Sequence, residues 1–177
     1  MTKAIKVLLA TTALFFSAQT LASGGCGFET ENTGLIGSCT QEEQEVILTG
    51  MIEPKTLIQE DDFSEGYQSY QVDQGTLAAL KSVTTPTEIV VIIGTWCPDC
   101  HRETPRFIRI MEELNNPNIT AKYIGVDRQK KDDEGLANEY EFTRIPTFIV
   151  IQDDKEIGRI VERPTESLEK DLAKILK

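Results

Sequence analysis

Two cysteines separated by two residues, Cys97 and Cys100, are the side chains of this sequence whose type and spacing most directly indicate chemistry. This spacing lets the pair cycle between a dithiol and a disulfide. An apolar, mainly β-branched run, 89–93, precedes the pair, and a helical pattern follows it. A cysteine at the start of a helix meets unpaired N–H groups and the positive end of the helix dipole, which both favour the thiolate. The pattern therefore predicts a redox-active dithiol.

Two other chemistries are compatible with the same residues. Cys97 and Cys100 followed by His101 form the attachment pattern of a c-type haem, with the histidine as axial ligand. The three side chains are also soft enough ligands for Cu(I). Pro98 stiffens the loop against haem attachment, and the sequence has no second histidine to complete a copper site. The dithiol interpretation is therefore preferred, with no metal and no cofactor other than the Cys97–Cys100 disulfide.

The N-terminal segment, residues 1–22, has the pattern of a secretory signal peptide: two lysines, an apolar run and small residues before a cleavage point. The run is too short to span a membrane comfortably, so no stable membrane insertion is expected after its removal. The net charge of −11 becomes −13 without the two signal lysines, which disfavours binding to nucleic acid or anionic membranes. The predicted location is the periplasm or another extracytoplasmic compartment.

The two remaining cysteines, Cys26 and Cys39, also lie in the exported part. An even number of cysteines outside the cytosol favours disulfides, and the closeness of Cys97 to Cys100 leaves Cys26–Cys39 as the second predicted pair. We interpret it as a structural staple of about 3 kcal/mol, with a second redox pair as the alternative. Lipid anchoring at Cys26 is disfavoured because Ser23 stands where a lipidation signal has leucine.

Helical and strand periodicity divide the mature chain into an N-terminal extension, 23–84, and an α/β domain, 85–177. The extension is predicted to contain a helix capped by Thr40 and ended by Gly50, a turn at 54–59, and a helix capped by Asp73. The domain is predicted to contain strands at 88–93, 120–126, 146–151 and 156–161, and helices at 97–115, around 136–140 and after Thr165. This order predicts a three-layer sandwich, in which helices flank a central mixed sheet of about four strands.

From residue 85 onward the chain resembles thioredoxin. Trp96 precedes the first cysteine, and Pro105 follows Cys100 by five residues, where thioredoxins bend the active-site helix. The segment 144–147, Arg-Ile-Pro-Thr, precedes a strand and hairpin as the cis-proline segment of that family does. The resemblance implies that Pro146 is cis and lies against the two sulfurs, and cis bonds are nearly confined to X-Pro.

The signal peptide, the extension and the segment 100–105 make the chain more similar to the exported thioredoxin-like subgroup related to TlpA and ResA. Members of this subgroup often carry glutamate at the position of Glu103. The buried aspartate that cytosolic thioredoxins place six residues before the first cysteine is Val91 here. Glu103 is therefore the nearest replacement for its proton-transfer role, with a solvated helix position as the alternative.

Geometry and resemblance together imply the roles of the site residues. Cys97 is the exposed nucleophile, and Cys100, one turn deeper, resolves the mixed disulfide. Pro98 suits the first helical turn, and with Trp96 and Ile145 it is expected to receive the substrate peptide. The expected partners are protein thiols and disulfides and an upstream thiol electron donor.

Two charged side chains next to the cysteines are expected to act in opposite directions. Asp99 opposes formation of the thiolate by its negative charge, whereas His101 offsets this effect when it is protonated.

Overall fold

The computed structural model of the protein describes residues 46–177. The strands of this part are β1 Gly50–Ile52, β2 Thr87–Ile93, β3 Ile119–Gly125, β4 Thr147–Gln152 and β5 Lys155–Val161. The α-helices are α1 Pro54–Leu57, α2 Asp61–Ser69, α3 Gln74–Lys81, α4 Pro98–Leu114 and α5 Leu168–Ile175, with a 3₁₀ helix at Leu136–Glu139. The predicted α/β architecture is confirmed: a mixed sheet flanked by helices.

The five strands form one sheet in the order β1-β3-β2-β4-β5. β2 runs parallel to β3 and antiparallel to β4, β5 is the antiparallel partner of β4, and β1 is the antiparallel partner of β3. All residues of β2 from Ile89 to Ile93 are buried. Because successive side chains point to opposite faces, both faces of the central strand are covered.

The sheet has five strands rather than the predicted four, because β1 adds to its edge. The prediction of a helix that ends at Gly50 is wrong for the residues that the structure describes. Residues 46–49 form no regular element, and Val46 is exposed. Gly125 on β3 explains the outcome: a Cβ there would lie 2.4 Å from both the Leu48 carbonyl oxygen and the Ile52 side chain. Backbone pairing at this glycine replaces a short helix that would have had little stability of its own.

Helix α4 packs its apolar side against the sheet. Phe107 is fully buried and lies with its ring centroid 5.1 Å from that of Phe148 on β4 and 6.2 Å from that of Tyr123 on β3. Pro105 lies inside α4, which runs without interruption to Leu114. This packing holds the N-terminal end of α4 at the end of β2, where the two cysteines lie.

Helices α2 and α3 pack against α4, and α3 also packs against α5. Asp73 caps α3 as predicted, because its carboxylate accepts hydrogen bonds from the Gly75 and Thr76 N–H groups. The prediction for α5 was wrong by two residues: Ser167 is the cap and accepts from Lys170 N–H, whereas Thr165 donates its own N–H to a carboxylate of the helix. Both residues are good caps, and sequence alone did not distinguish them.

Residues 50–83, which belong to the predicted extension, supply β1 and three helices to the same sheet and core. Buried Glu169 on α5 binds this part to the rest of the core, since it accepts hydrogen bonds from the Tyr70 hydroxyl at 3.0 Å and from Asp73 N–H at 3.1 Å. Within the described residues, no helix is long and apolar enough to cross a membrane. The predicted signal peptide, Cys26, Cys39 and the start of the helix at Thr40 lie outside them.

Candidate active site

The dithiol lies where β2 ends and α4 begins. Cys97 is the N-cap residue of α4 and Pro98 occupies its first turn, where no N–H donor is needed. The Cys97 N–H donates to the Gly94 carbonyl at 3.0 Å, which fixes the tight connection between strand and helix. Both thiols are free, so the structure shows the dithiol form of the pair.

Both cysteines are buried, so the expectation of an exposed Cys97 is wrong, and Cys100 has none of its surface exposed. Its sulfur accepts a hydrogen bond from Gly94 N–H at 3.4 Å. Burial raises the pKa of the Cys100 thiol well above its ordinary value, and a hydrogen bond with Cys97 acts in the same direction. Cys100 therefore keeps its proton at neutral pH.

Cys97 is 8% exposed, and the pKa of its thiol is lowered to about 6. The largest cause is its hydrogen bond with the Cys100 thiol, and N–H groups of Cys100 and Asp99 in the first helical turn lower the pKa further. Burial and the negative charge of Asp99 act in the opposite direction. The two sulfurs thus have opposite properties: Cys97 is mostly thiolate at pH 7, while Cys100 remains a thiol.

The segment before β4 faces the dithiol. The Ile145–Pro146 peptide bond is cis, and the Ile145 carbonyl oxygen lies 3.6 Å from the Cys97 sulfur, within hydrogen-bonding distance of the thiol. The Ile145 side chain is 5% exposed. Little of the apolar side chain that the sequence suggested for contact with substrate is therefore accessible.

Trp96 is partly exposed beside Cys97, and two contacts hold its indole. The ring nitrogen donates to the Val126 carbonyl at 3.0 Å, and the Arg128 guanidinium lies over the ring at 5.1 Å from its centroid. A Cβ on Gly94 would come within 2.8 Å of the indole and 2.9 Å of the Ile145 side chain. The absence of a side chain at Gly94 therefore allows both residues to pack over the end of β2.

Asp99 is paired with two arginines, which sequence reasoning missed. Arg102 contacts its carboxylate at 2.8 Å and Arg163 at 3.0 Å. Burial by itself would raise the pKa of Asp99, but hydrogen bonds and charges from both arginines lower it below its ordinary value. Arg102 had a detectable signal, its i,i+3 spacing from Asp99, whereas nothing local marks Arg163.

His101 does not offset the charge of Asp99. One nitrogen of its ring contacts the Thr95 carbonyl, so this nitrogen carries the proton, and the other lies 3.8 Å from Asp62 on α2. The ring packs edge-on to Phe63 with the centroids 5.0 Å apart. His101 therefore joins the active-site loop to α2, and the role predicted for it belongs to the two arginines.

Glu103 is buried, with 3% of its surface exposed. One carboxylate oxygen accepts from Arg102 at 2.6 Å and from Arg106 at 3.4 Å, while the other is buried and has no hydrogen-bond partner among the described residues. The alternative of a solvated helix position is thereby excluded. Val91, at the position of the aspartate of cytosolic thioredoxins, is fully buried in β2.

The arrangement can perform thiol–disulfide exchange: a reactive thiolate lies above a protected thiol, in an apolar setting with a backbone carbonyl alongside. Within residues 46–177, no group of three or more His, Cys, Asp or Glu side chains is placed to hold a metal ion. Fold and site together define a protein of the α/β class with a dithiol at the strand–helix junction of its sheet.

A family model described as thioredoxin matches residues 49–174. The chain therefore belongs to the thioredoxin family, which is a family of thiol–disulfide oxidoreductases. Thioredoxin from Chlamydia pneumoniae is 33% identical over 73 residues, which cover 41% of this chain and 66% of that protein. Thioredoxin H2 from Arabidopsis thaliana is 26% identical over 87 residues, covering 49% and 61%. The chain thus spans about two thirds or less of the length of these curated relatives.

Two solved structures are similar to this chain at lower identity. A protein of unknown function from Pseudomonas aeruginosa is 24% identical with a TM-score of 0.46, covering 62% of this chain and 66% of that one. Oxidised mitochondrial thioredoxin 3 from Saccharomyces cerevisiae is 19% identical with a TM-score of 0.37, covering 63% and 96%.

Proposed function

We propose that the protein is an exported thiol–disulfide oxidoreductase that reduces or exchanges protein disulfides through Cys97 and Cys100. The observation that carries this proposal is the contrast between the two sulfurs. The pKa of the Cys97 thiol is lowered to about 6 at the helix N-terminus, whereas Cys100 is completely buried and protonated. One sulfur is thus suited to attack and the other to resolution.

The reaction consists of two exchanges. The Cys97 thiolate attacks one sulfur of a substrate disulfide, the S–S bond breaks, and the departing substrate thiolate takes up a proton. Cys100 then loses its proton and attacks the Cys97 sulfur, which releases the second substrate thiol and leaves the Cys97–Cys100 disulfide. The substrate gains two electrons and two protons, and an upstream thiol donor returns them to the cysteine pair.

Glu103 is the proposed acceptor of the Cys100 proton in the second exchange. Its support is its place one helical turn after Cys100 and its buried, unpartnered carboxylate oxygen. Glu103→Gln keeps the shape and removes the base, so release of substrate from the mixed disulfide should slow by at least tenfold. Stopped-flow measurement of the two phases tests this role, and an unchanged second phase would remove Glu103 from the mechanism.

Trp96, Pro98, Ile145 and Pro146 are the proposed substrate-binding surface. The partly exposed indole and the exposed Pro98 lie beside Cys97, and the cis-proline segment supplies its backbone next to the same sulfur. A substrate peptide lying between them would place its disulfide on Cys97.

Reduction of insulin by dithiothreitol tests the proposed reaction. The full protein should accelerate it, and Cys97→Ser should abolish the acceleration because no nucleophile remains. The matched control is the double variant Cys26→Ser/Cys39→Ser, which should retain activity if that pair is a structural staple. Full activity in Cys97→Ser would refute the mechanism, and loss of activity in a control that retains the native circular dichroism spectrum would identify Cys26–Cys39 as a second redox pair.

The Cys100→Ser variant can identify the protein partners. Without the resolving thiol, the mixed disulfide on Cys97 cannot be released and should accumulate. Mixed disulfides isolated from the extracytoplasmic fraction would identify protein substrates and the electron donor, with Cys97→Ser as the control that traps neither.

Export and membership of the TlpA- and ResA-like subgroup are parts of the same proposal. They are supported by the signal pattern of residues 1–22 and by glutamate at position 103. Fractionation of cells expressing the full chain, compared with a form lacking residues 1–22, should place only the full chain outside the cytoplasm. Retention of both forms in the cytoplasm would contradict export.

Haem and copper binding are less well supported by the site. A c-type haem is attached through both sulfurs, yet Cys100 has no exposed surface and His101 is held by Thr95. A Soret band in purified protein would nevertheless establish haem, and Cu(I) binding that survives Cys100→Ser would establish a copper site.

A further inference from the structure

The two residues that follow β5 contact both halves of the candidate site. Arg163 reaches α4, where its Nη2 and Nε atoms lie 3.0 and 3.2 Å from Oδ1 of Asp99. Glu162 reaches the cis-proline segment, where its N–H donates to the Pro146 carbonyl at 2.7 Å and its carboxylate pairs with Arg144 at 2.9 Å. One short segment therefore connects the dithiol helix to the loop that faces it.

A tight turn directs these two side chains to different partners. The Arg163 N–H donates to the Val161 carbonyl at 2.6 Å, which closes a three-residue turn centred on Glu162. Glu162 has φ of +59°, in the left-handed region that non-glycine residues rarely adopt. Hydrogen bonds on both sides of Glu162 hold this conformation, and it brings Arg163 to the carboxylate that lies between the two cysteines in sequence.

The pairing bears on Cys97 because Asp99 opposes the thiolate. Asp99 is 27% exposed and shares one oxygen between Arg163, which is 68% exposed, and Arg102, which is 32% exposed. The other charged groups around the site are Glu103, which pairs with Arg102 and Arg106, the pair Arg144 and Glu162, Arg128 over Trp96, and the more distant Asp62 and His101. Arg163 and Arg102 are thus the positive groups in direct contact with the charge that disfavours a Cys97 thiolate.

We propose that Arg163 is a positioning residue for the redox reaction, which sustains the thiolate of Cys97 by pairing with Asp99 from the turn after β5. The proposal rests on the proposed function only in taking Cys97 as the attacking sulfur. Arg163 acts through Asp99 and not on the substrate. Removal of the Arg163 side chain should therefore lower the reactivity of Cys97 only at pH values at which the thiol is partly protonated.

Alkylation of Cys97 in the reduced full chain tests this inference. Iodoacetamide modification is followed by mass spectrometry of the Cys97 peptide from pH 5 to pH 9, where the rate follows the thiolate fraction. Arg163→Gln should slow modification roughly twofold at pH 6, a shift of about half a pH unit, and leave the rate at pH 9 unchanged. Lys155→Gln is the control, because it removes one exposed positive charge at the far end of β5. This end lies about 20 Å from the turn that carries Arg163, which is beyond the Debye length, so the variant should match the native profile.

The Asp99→Asn background separates the proposed route from others. Asp99→Asn should shift the alkylation profile to lower pH, and adding Arg163→Gln to it should change nothing further. An Arg163→Gln profile identical to the native one, or a shift that persists undiminished in the double variant, would overturn the proposal. Alkylation needs no disulfide substrate, so a protein inactive with insulin but showing this shift would refute the proposed function and leave the inference standing.

Discussion

Folding of the reduced protein should become more favourable as pH rises from 6 to 8.5, and Cys97→Ser should remove this dependence. The pKa of the Cys97 thiol is lowered from 9.0 to about 6 in the folded protein. A group whose pKa is lowered by folding contributes stability that is complete above its unfolded pKa and is lost as pH falls through the folded pKa. The window for this effect is therefore pH 6 to 9.

The size of the effect follows from the two pKa values. Since one pKa unit corresponds to 1.36 kcal/mol, the contribution is about 0.4 kcal/mol at pH 6, about 1.4 kcal/mol at pH 7 and about 3 kcal/mol at pH 8.5. Cys97 is only 8% exposed, so solvent screening removes little of it. Burial raises the pKa of Cys100, which keeps that thiol protonated over the same range.

Urea unfolding under reducing conditions measures this contribution. The free energy of unfolding is determined at several pH values for the native protein and for Cys97→Ser, and the difference between the two curves is plotted against pH. Titration of groups that do not interact with Cys97 is common to both proteins and cancels, and burial, the largest cause of the raised pKa of Cys100, is present in both. The difference should grow by about 2.8 kcal/mol between pH 6 and pH 8.5.

A constant difference across this range would refute the reasoning, whatever its absolute size. It would mean that the Cys97 thiol titrates in the folded protein as it does in the unfolded chain. Growth of the difference only above pH 8 would place the folded pKa near its ordinary value and remove the basis for Cys97 as a nucleophile at neutral pH.

Three further substitutions test the packing that holds the site. Gly94→Ala should cost about 1–3 kcal/mol of stability and shift the tryptophan fluorescence, because the new Cβ would lie 2.8 Å from Trp96 and 2.9 Å from Ile145. Phe107→Ala should cost about 3–5 kcal/mol in urea unfolding, because a fully buried ring leaves a cavity between α4 and the sheet. Glu169→Ala should cost about 1–3 kcal/mol in the same assay, because it leaves the Tyr70 hydroxyl and the Asp73 N–H without their acceptor.

Each of these has an outcome that contradicts it. Unchanged fluorescence in Gly94→Ala would mean that the indole does not pack at the end of β2. A loss below 1 kcal/mol in Phe107→Ala or Glu169→Ala would mean that the corresponding contact is absent. Gln68→Ala, at an exposed position of α2, is a control expected to lie within about 0.5 kcal/mol of the native protein.

Most of the sheet and its main helix could be predicted from local patterns. The β-branched run became β2, and the helical stripe after Cys97 became α4, with Pro105 inside it. The short elements could not be predicted as well: β1 has three residues, and its partner β3 lies some 70 residues further along the chain. The choice between a short helix and a strand at such a segment depends on that partner, which local periodicity does not reveal.

The candidate site shows the same division between adjacent and distant residues. Cys97, Cys100 and Trp96 were identified from their own neighbours in sequence. The pairing of Asp99 with Arg163 joins residues 64 apart, and the hydrogen bond from Leu48 N–H to the Thr95 hydroxyl joins residues 47 apart. The expectation that His101 would offset the negative charge of Asp99 came from proximity in sequence. In the structure, the ring of His101 instead contacts the Thr95 carbonyl.

By itself, the sequence determined a dithiol at a strand–helix junction in an α/β domain, because spacing, β-branching and helical periodicity are local properties of the chain. Only the tertiary structure decided how the two sulfurs differ and which charges surround them. Cys100 is buried at the end of β2, where its sulfur accepts from Gly94 N–H, and the charge on Asp99 is offset by an arginine placed there by the turn after β5. These properties arise because the pKa of a thiol depends on the burial and charges around it in space, which residues distant in sequence supply.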